Sequence, residues 1–254
     1  MGLKKFIPTL FKKPLYWLLK ASQRKAGFFT VGLEFRGILK VYLDKFLFTK
    51  SRKLKPITIC VSNKNRSSAL LNHLVESILK AEHADLISLS VFDCGSDDAA
   101  TLEENLKSKL PGCIYFETQP IPFARSIAMN RAVKNAPEKL LFLTDADISL
   151  PMDIVSKVNL YVGKNRVWFP ICNAFTNNNE TNSTWYTEGK GLLACTKIQF
   201  ENLGGYNETF TNWGGEDTDL WFRFWQQHYY CYRSKEKNLL HHWHTSEQNA
   251  KKQW

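Results

Sequence analysis

The sequence predicts an α/β fold in which a mostly parallel, Rossmann-like sheet is wrapped by helices and preceded by a basic helical arm. Three observations carry this expectation. Short apolar runs alternate with helical segments after Pro56, polar clusters stand at the carboxyl ends of those runs, and the net positive charge is confined to the first 55 residues. A chain of 254 residues buries one substantial core, so we expect a body over residues 56–254 and an arm over residues 1–55. Hydrophobic residues at 44% and charged residues at 23% exclude a globally disordered chain.

The arm holds 14 Lys and Arg against Glu34 and Asp44, a net +12 in a chain whose total is +10, which leaves the body at −2. The basic balance therefore describes the arm's partner and says little about the body. Its opening, MGLKKFIPTLFKKPLYWLLK, interleaves Phe6, Ile7, Leu10, Phe11, Leu15, Trp17 and Leu18 with lysine pairs, the composition of an interfacial segment. No stretch approaches the roughly 20 apolar residues that span a bilayer. From Val31 to Phe48, Phe35, Ile38, Leu39, Tyr42 and Phe46 recur at helical spacing, with Arg36, Lys40 and Asp44 on another face. Two roles fit the arm equally: packing on the body with its lysines in water, or attraction to an anionic membrane surface at about 1 kcal/mol per basic residue. A nucleic-acid partner is not expected, because the acidic body offers no continuing basic groove.

Within the body, ITICV and LISLSVF read as buried strands, residues 67–80 as the helix between them, and KLLFL as a later strand ahead of a helix starting near Pro151. Ligands of such sheets bind beyond the carboxyl ends of the strands. Those ends carry Ser62-Asn63-Lys64-Asn65-Arg66, Asp93-Cys94-Gly95-Ser96-Asp97 and Thr144-Asp145-Ala146-Asp147. Two carboxylates one residue apart repel each other unless a cation lies beside them, and a hard divalent ion takes oxygen ligands of this sort. For Asp145 and Asp147 alone, a helix-capping loop would be the plainer explanation. The six cysteines show no zinc-ligand spacing and read as buried reduced thiols of a cytoplasmic protein, with three disulfides as the alternative.

The acidic pair does not stand alone, because GKGLLACTKIQFENLGGYNETFTNWGGEDTDLWFRF brings a Gly-rich, Trp-containing loop into the cluster Glu216, Asp217 and Asp219 ahead of an amphipathic helix. In WGGEDTDLWFR and TDAD, and more loosely in FARSIAMN, the sequence resembles the β-1,4-galactosyltransferases and the family 2 glycosyltransferases that share their C-terminal motif. The similarity runs from about Pro56 to about His244 and does not cover the arm. It implies a GT-A fold with a mixed sheet, residues 56–150 as the nucleotide-sugar-binding half and residues 151–254 as the acceptor-binding and metal-completing half.

The same resemblance implies the roles of the site residues. Asp217 corresponds to the catalytic base, and Trp213 and Glu216 to acceptor contacts. Ser62, Asn63, Arg66, Asp93, Arg125, Asp145 and Gly191 correspond to donor-binding positions, with Arg66 and Arg125 gripping the nucleotide and Asp93 at the uracil or ribose. Asp147 corresponds to a direct metal ligand. A histidine after the acidic helix completes the metal shell in these families, so His244 is the first candidate and His241 the second. Histidine ligation favours Mn²⁺ over Mg²⁺, although Mg²⁺ remains an option.

The chemistry asks for the same arrangement. Transfer with inversion needs a carboxylate opposite the leaving group to take the acceptor proton, and a cation to neutralise the departing diphosphate. The expected activity is an inverting, metal-dependent transfer of a hexose or N-acetylhexosamine from a UDP-sugar to a glycan or lipid-linked acceptor, in surface polysaccharide biosynthesis at the cytoplasmic face of a membrane. A nucleotidyltransferase also uses paired aspartates and a metal, but it gives WGGED and the late histidines no role. A catalytically silent glycan- or membrane-binding module is the other alternative. The connecting segment TNNNETNSTWYTEG is unusually polar and reads as an acceptor loop that orders only when donor is bound.

Overall fold

The computed structural model describes residues 28–47, 53–118, 122–211 and 214–244. The lipid-facing expectation for the segment before residue 28, and the acceptor role of Trp213, lie outside the described residues. Helix α1 (Phe28–Leu47) forms where the helical spacing places it. Its second half packs on the body across the boundary expected at residue 55. Val41 joins the core, Ile38 lies against it, and Asp44 pairs with buried Arg166 at 2.7 Å. Gly37 makes this approach feasible, because a Cβ there would fall 2.2 Å from Cγ of Tyr230. For these residues the packing role holds.

The body is built on a seven-stranded sheet ordered β10-β6-β9-β4-β1-β2-β3, with β1 (Ile57–Asn63), β2 (Ile87–Asp93), β3 (Ile114–Glu117), β4 (Leu140–Thr144), β6 (Arg166–Trp168), β9 (Leu193–Thr196) and β10 (Tyr230–Tyr232). Every residue of β1 and β4 is buried, because helices cover both faces of the sheet and alternation gives way to a continuous apolar run. Period-two geometry still sorts the side chains. Leu141 and Leu143 enter one core with Cys60 and Cys195, while Phe142 enters the other with Ile57 and Ile59. Strand β9 runs antiparallel to both β4 and β6 while the other strands run parallel to one another, so the sheet is mostly parallel, as the sequence predicts, and mixed, as the family resemblance implies.

The parallel registers position the site. Asn63 lies opposite Asp93, and Val61 opposite Thr144, so the polar clusters that follow β1, β2 and β4 emerge along one edge. A second sheet, ordered β5-β11-β7-β8, is formed by β5 (Ile148–Ser149), β7 (Ile171–Phe175), β8 (Ser183–Trp185) and β11 (Lys235–His241).

Two segments differ from expectation. The helix expected over residues 67–80 runs as Ser67–Ala69, a π-helical stretch Leu70–Val75, and Glu76–Leu79; we label this composite α2. The polar segment after Phe175 is not a free loop. It folds into a hairpin of β7 and β8 whose tip is tied by Asn177, which accepts from the Asn182 backbone N–H at 3.0 Å. The remaining helices are α3 (Leu102–Lys109), α4 (Arg125–Asn135), α5 (Ile154–Tyr161), α6 (Lys197–Asn202) and α7 (Glu216–Gln226). No disulfide links the six cysteines, five of which are buried. Among the described residues, no helix is long and apolar enough to cross a membrane.

Candidate active site

The paired aspartates follow β4, and the short antiparallel pairing of β5 with β11 brings the late histidines to them. His241 lies opposite Ile148, and the His242 backbone N–H donates to the Asp147 carbonyl at 2.9 Å. The Asp147 carboxylate then faces His241 Nε2 at 3.4 Å and His244 Nε2 at 3.3 Å. One ligand atom from each of the three residues lies within 4.8 Å of the others. Asp147 Oδ1 is buried without a hydrogen bond, which in a folded interior costs free energy unless a cation satisfies it. One carboxylate oxygen and two imidazole nitrogens form a donor set suited to a borderline divalent ion. Burial favours the neutral acid at Asp147, yet His241 and then His244 hold it below the ordinary carboxylate range. His241 is itself held above its usual range by Asp147 despite its burial.

A second centre is organised by Arg125, the first residue of α4. Its Nε donates to Asp145 at 2.9 Å, Nη1 to Asp217 at 2.6 Å and to the Tyr206 hydroxyl at 3.3 Å, and Nη2 to the Gly191 carbonyl at 2.8 Å. With these four partners the Arg125 guanidinium joins the two carboxylates. Gly191 sits between them, and a Cβ there would lie 3.1 Å from Asp217 Oδ2 and 3.7 Å from Asp145 Oδ2. A side chain at this position would enter the space the two acids share.

Asp217 is presented by the first turn of α7. Gly214 and Gly215 precede it at φ +100° and +96°, a left-handed pair that residues with a Cβ adopt only under strain. Burial raises the Asp217 carboxyl above its ordinary range, against the pull of Arg125 and with a contribution from Asp145. Glu216 is 3% exposed with Oε2 unpartnered, and burial followed by the Asp217 charge pushes it up as well. The third acid of the cluster, Asp219, pairs with Arg223 one turn along the helix at 2.7 Å and serves the helix itself.

Beyond β1 and β2 the expected donor contacts divide. Ser62 is buried within β1, and Asn63 and Asp93 are fully enclosed. Asp93 accepts from the Ser96 backbone N–H at 2.7 Å, from the Ser96 hydroxyl at 2.9 Å and from Asn63 Nδ2 at 2.6 Å. These bonds engage both carboxylate oxygens and staple the two loops together. Arg66 stays at the cleft and donates from Nη2 to His244 Nδ1 at 3.1 Å.

Sequence reasoning missed the support behind the histidines. His242 Nδ1 lies 3.0 Å from Glu180 Oε1, its Nε2 lies 2.7 Å from Ser149 Oγ, and its ring stacks on His73 with centroids 3.6 Å apart. Glu180, at φ +53°, also accepts from the Trp243 backbone N–H at 3.1 Å. Three late histidines were a signal, but their division of labour was not: His242 anchors the strand end while His241 and His244 face Asp147. Replacing Glu180 by Ala is expected to weaken divalent-ion affinity by about 10-fold or more, the scale of lost outer-shell support, as read by calorimetric titration. Glu180→Gln, which keeps one acceptor, is expected to recover part of that loss.

Comparisons with known proteins find a likeness in one segment of the chain and in its fold. A family model described as the N-terminal domain of galactosyltransferase matches residues 171–245, the stretch from β7 through α7 to the histidine strand. A Mus musculus protein, N-acetyl-beta-glucosaminyl-glycoprotein 4-beta-N-acetylgalactosaminyltransferase 1, is 28% identical over 131 residues, which covers 48% of this chain and 13% of that protein. S. aureus TarS in complex with UDP-GlcNAc superposes with a TM-score of 0.62 at 12% identity, over 77% of this chain and 61% of TarS. TarS in complex with UDP gives 0.57 at 13% identity, over 74% and 60%. At such identity the likeness to TarS is one of fold. The chain has the GT-A glycosyltransferase fold, a mixed sheet flanked by helices, with a galactosyltransferase-type segment across residues 171–245.

Proposed function

We propose that the protein is an inverting, metal-dependent glycosyltransferase that moves a hexose or N-acetylhexosamine from a UDP-sugar to a glycan or lipid-linked glycan acceptor. The observation that carries the proposal is the pair of acidic centres beyond the end of β4, one built on Asp147 and the other joined to Asp145 through Arg125. Asp147 with His241 and His244 fits a divalent ion, and Asp217 is a carboxylate of raised proton affinity tied through Arg125 to Asp145. Segment 171–245, which matches the galactosyltransferase model, contains Asp217 and both histidines. A UDP-sugar as donor is supported by the fold shared with TarS, which was solved with UDP-GlcNAc.

In this mechanism Asp217 takes the proton of the acceptor hydroxyl as its oxygen bonds to the anomeric carbon and the bond from that carbon to the diphosphate breaks, releasing UDP. Arg125 keeps Asp217 and Asp145 oriented beside each other. Glu216, next to the base, is in this reading an acceptor contact. Asp147, His241 and His244 would hold Mn²⁺, or Mg²⁺ in its place, and the ion would supply charge neutralisation for the leaving diphosphate. A lipid-linked acceptor in surface polysaccharide assembly, with the protein peripheral at the cytoplasmic face of a membrane, accords with the +12 charge of residues 1–55.

The test is metal-dependent UDP release across a panel of UDP-sugars, with GDP- and CMP-sugars as controls and several divalent ions compared. Release from one UDP-sugar that requires the ion, and that Asp147→Ala removes, is the expected result. Absence of turnover and of UDP binding with every metal would replace this proposal with the silent binding module.

A further inference from the structure

We infer that Arg66 gates the metal centre: it competes with the cation for His244 and is released by the diphosphate of the incoming nucleotide. The inference rests on the metal-binding proposal above. An arginine only donates, so the 3.1 Å contact makes His244 Nδ1 an acceptor. A neutral imidazole then carries its single proton on Nε2, the atom that faces Asp147 Oδ2 at 3.3 Å. To ligate an ion beside Asp147, Nε2 must offer its lone pair and the proton must sit on Nδ1, where it would oppose the Arg66 N–H. A cation at the triad and Arg66 on His244 therefore exclude each other, and the charges of ion and guanidinium repel as well.

Position determines where the displaced guanidinium goes. Arg66 follows Asn65, whose backbone is held at φ +54° and whose N–H donates to Ser96 Oγ at 2.8 Å, so the base of the Arg66 side chain is fixed on the cleft edge. A free guanidinium there takes a diphosphate in a bidentate manner, next to the ion that the same diphosphate approaches. Nucleotide binding thus removes the competitor for His244, and ion binding frees the group that grips the nucleotide. By linkage, each ligand tightens the other through this one side chain.

The experiment is a titration of the full chain with Mn²⁺, followed by the electron paramagnetic resonance of free Mn²⁺, with and without UDP, for wild type, Arg66→Met, Arg66→Lys and Asp147→Ala. Without UDP, Arg66→Met is expected to bind Mn²⁺ about 10-fold more tightly than wild type. With Mn²⁺ saturating, its UDP affinity is expected to fall by about 10-fold, so the two effects have opposite signs. Mn²⁺ affinity in Arg66→Met equal to or below that of wild type overturns the inference and leaves the metal centre intact. No Mn²⁺ binding by wild type beyond that of Asp147→Ala overturns the metal proposal and the inference with it. Should Arg66→Met fail to fold by circular dichroism, Arg66→Lys decides, with the same direction expected because the shorter ammonium lacks the planar fork.

Discussion

Asp217→Asn is expected to lower transfer by about 10²- to 10⁴-fold, the contribution of a positioned general base, while UDP affinity in the presence of metal stays near wild type. The amide keeps the size of the carboxylate and still accepts from Arg125 Nη1, so the cleft remains folded while the proton acceptor is lost. The wild-type pH profile supplies the sign. Burial and the nearby Asp145 charge raise the Asp217 carboxyl despite Arg125, and the active species is the carboxylate, so kcat/KM should fall as pH drops through a value above the ordinary aspartate range. That acidic limb should be missing from the residual rate of the asparagine variant. Unchanged transfer in Asp217→Asn would remove Asp217 as the base.

Arg125→Met carries the largest expected effect on stability. The guanidinium is 8% exposed and neutralises Asp145 and Asp217, which are 41% and 24% exposed. Breaking a fully enclosed pair by removing one partner costs about 3–5 kcal/mol, and the partial solvation of these acids lowers the expectation to about 2–3 kcal/mol. In a chain of this size that is a fall in Tm of roughly 5–10 °C. The sign with pH follows from Asp217, whose raised folded-state pKa favours the protonated form on folding and opposes folding once the group ionises. Loss of Arg125 raises that pKa further. The deficit should be full near neutral pH and shrink as pH falls below the folded-state pKa of the variant, which thermal melts at several pH values would read. A deficit independent of pH would mean that packing against Tyr206, not charge, holds Arg125 in place.

Much of the fold over residues 56–150 was legible because it is written in local signals. A fully buried strand needs a continuous apolar run, and ITICV, LISLSVF and KLLFL have one; a ligand edge needs polar residues just after such a run, and Asp147 stands there. What local signals do not carry depends on tertiary partners. Antiparallel insertion of β9 between β4 and β6 leaves no mark on its own residues, since LACT would be equally apolar in either direction. Asp93 has the residue type of a ligand contact, but Asn63 and Ser96 reach it first. Arg125 matched a nucleotide-gripping motif, while its actual partners lie 20 and 92 residues further along the chain. The Glu180–His242–Ser149 network joins a hairpin tip, a strand end and a two-residue strand, an association that no spacing within one segment reveals.

Docking of α1 has a consequence for how the molecule divides. Val41 belongs to the same core as β1 and β2, and Asp44 is the carboxylate partner of enclosed Arg166. A shortened version beginning at the first strand would leave that guanidinium with only the Leu160 and Tyr161 carbonyls and would uncover the Tyr230 ring that Gly37 admits. The folded body of this chain therefore begins ahead of β1, inside α1, and a shortened version without Val41 and Asp44 is expected to lose part of its core.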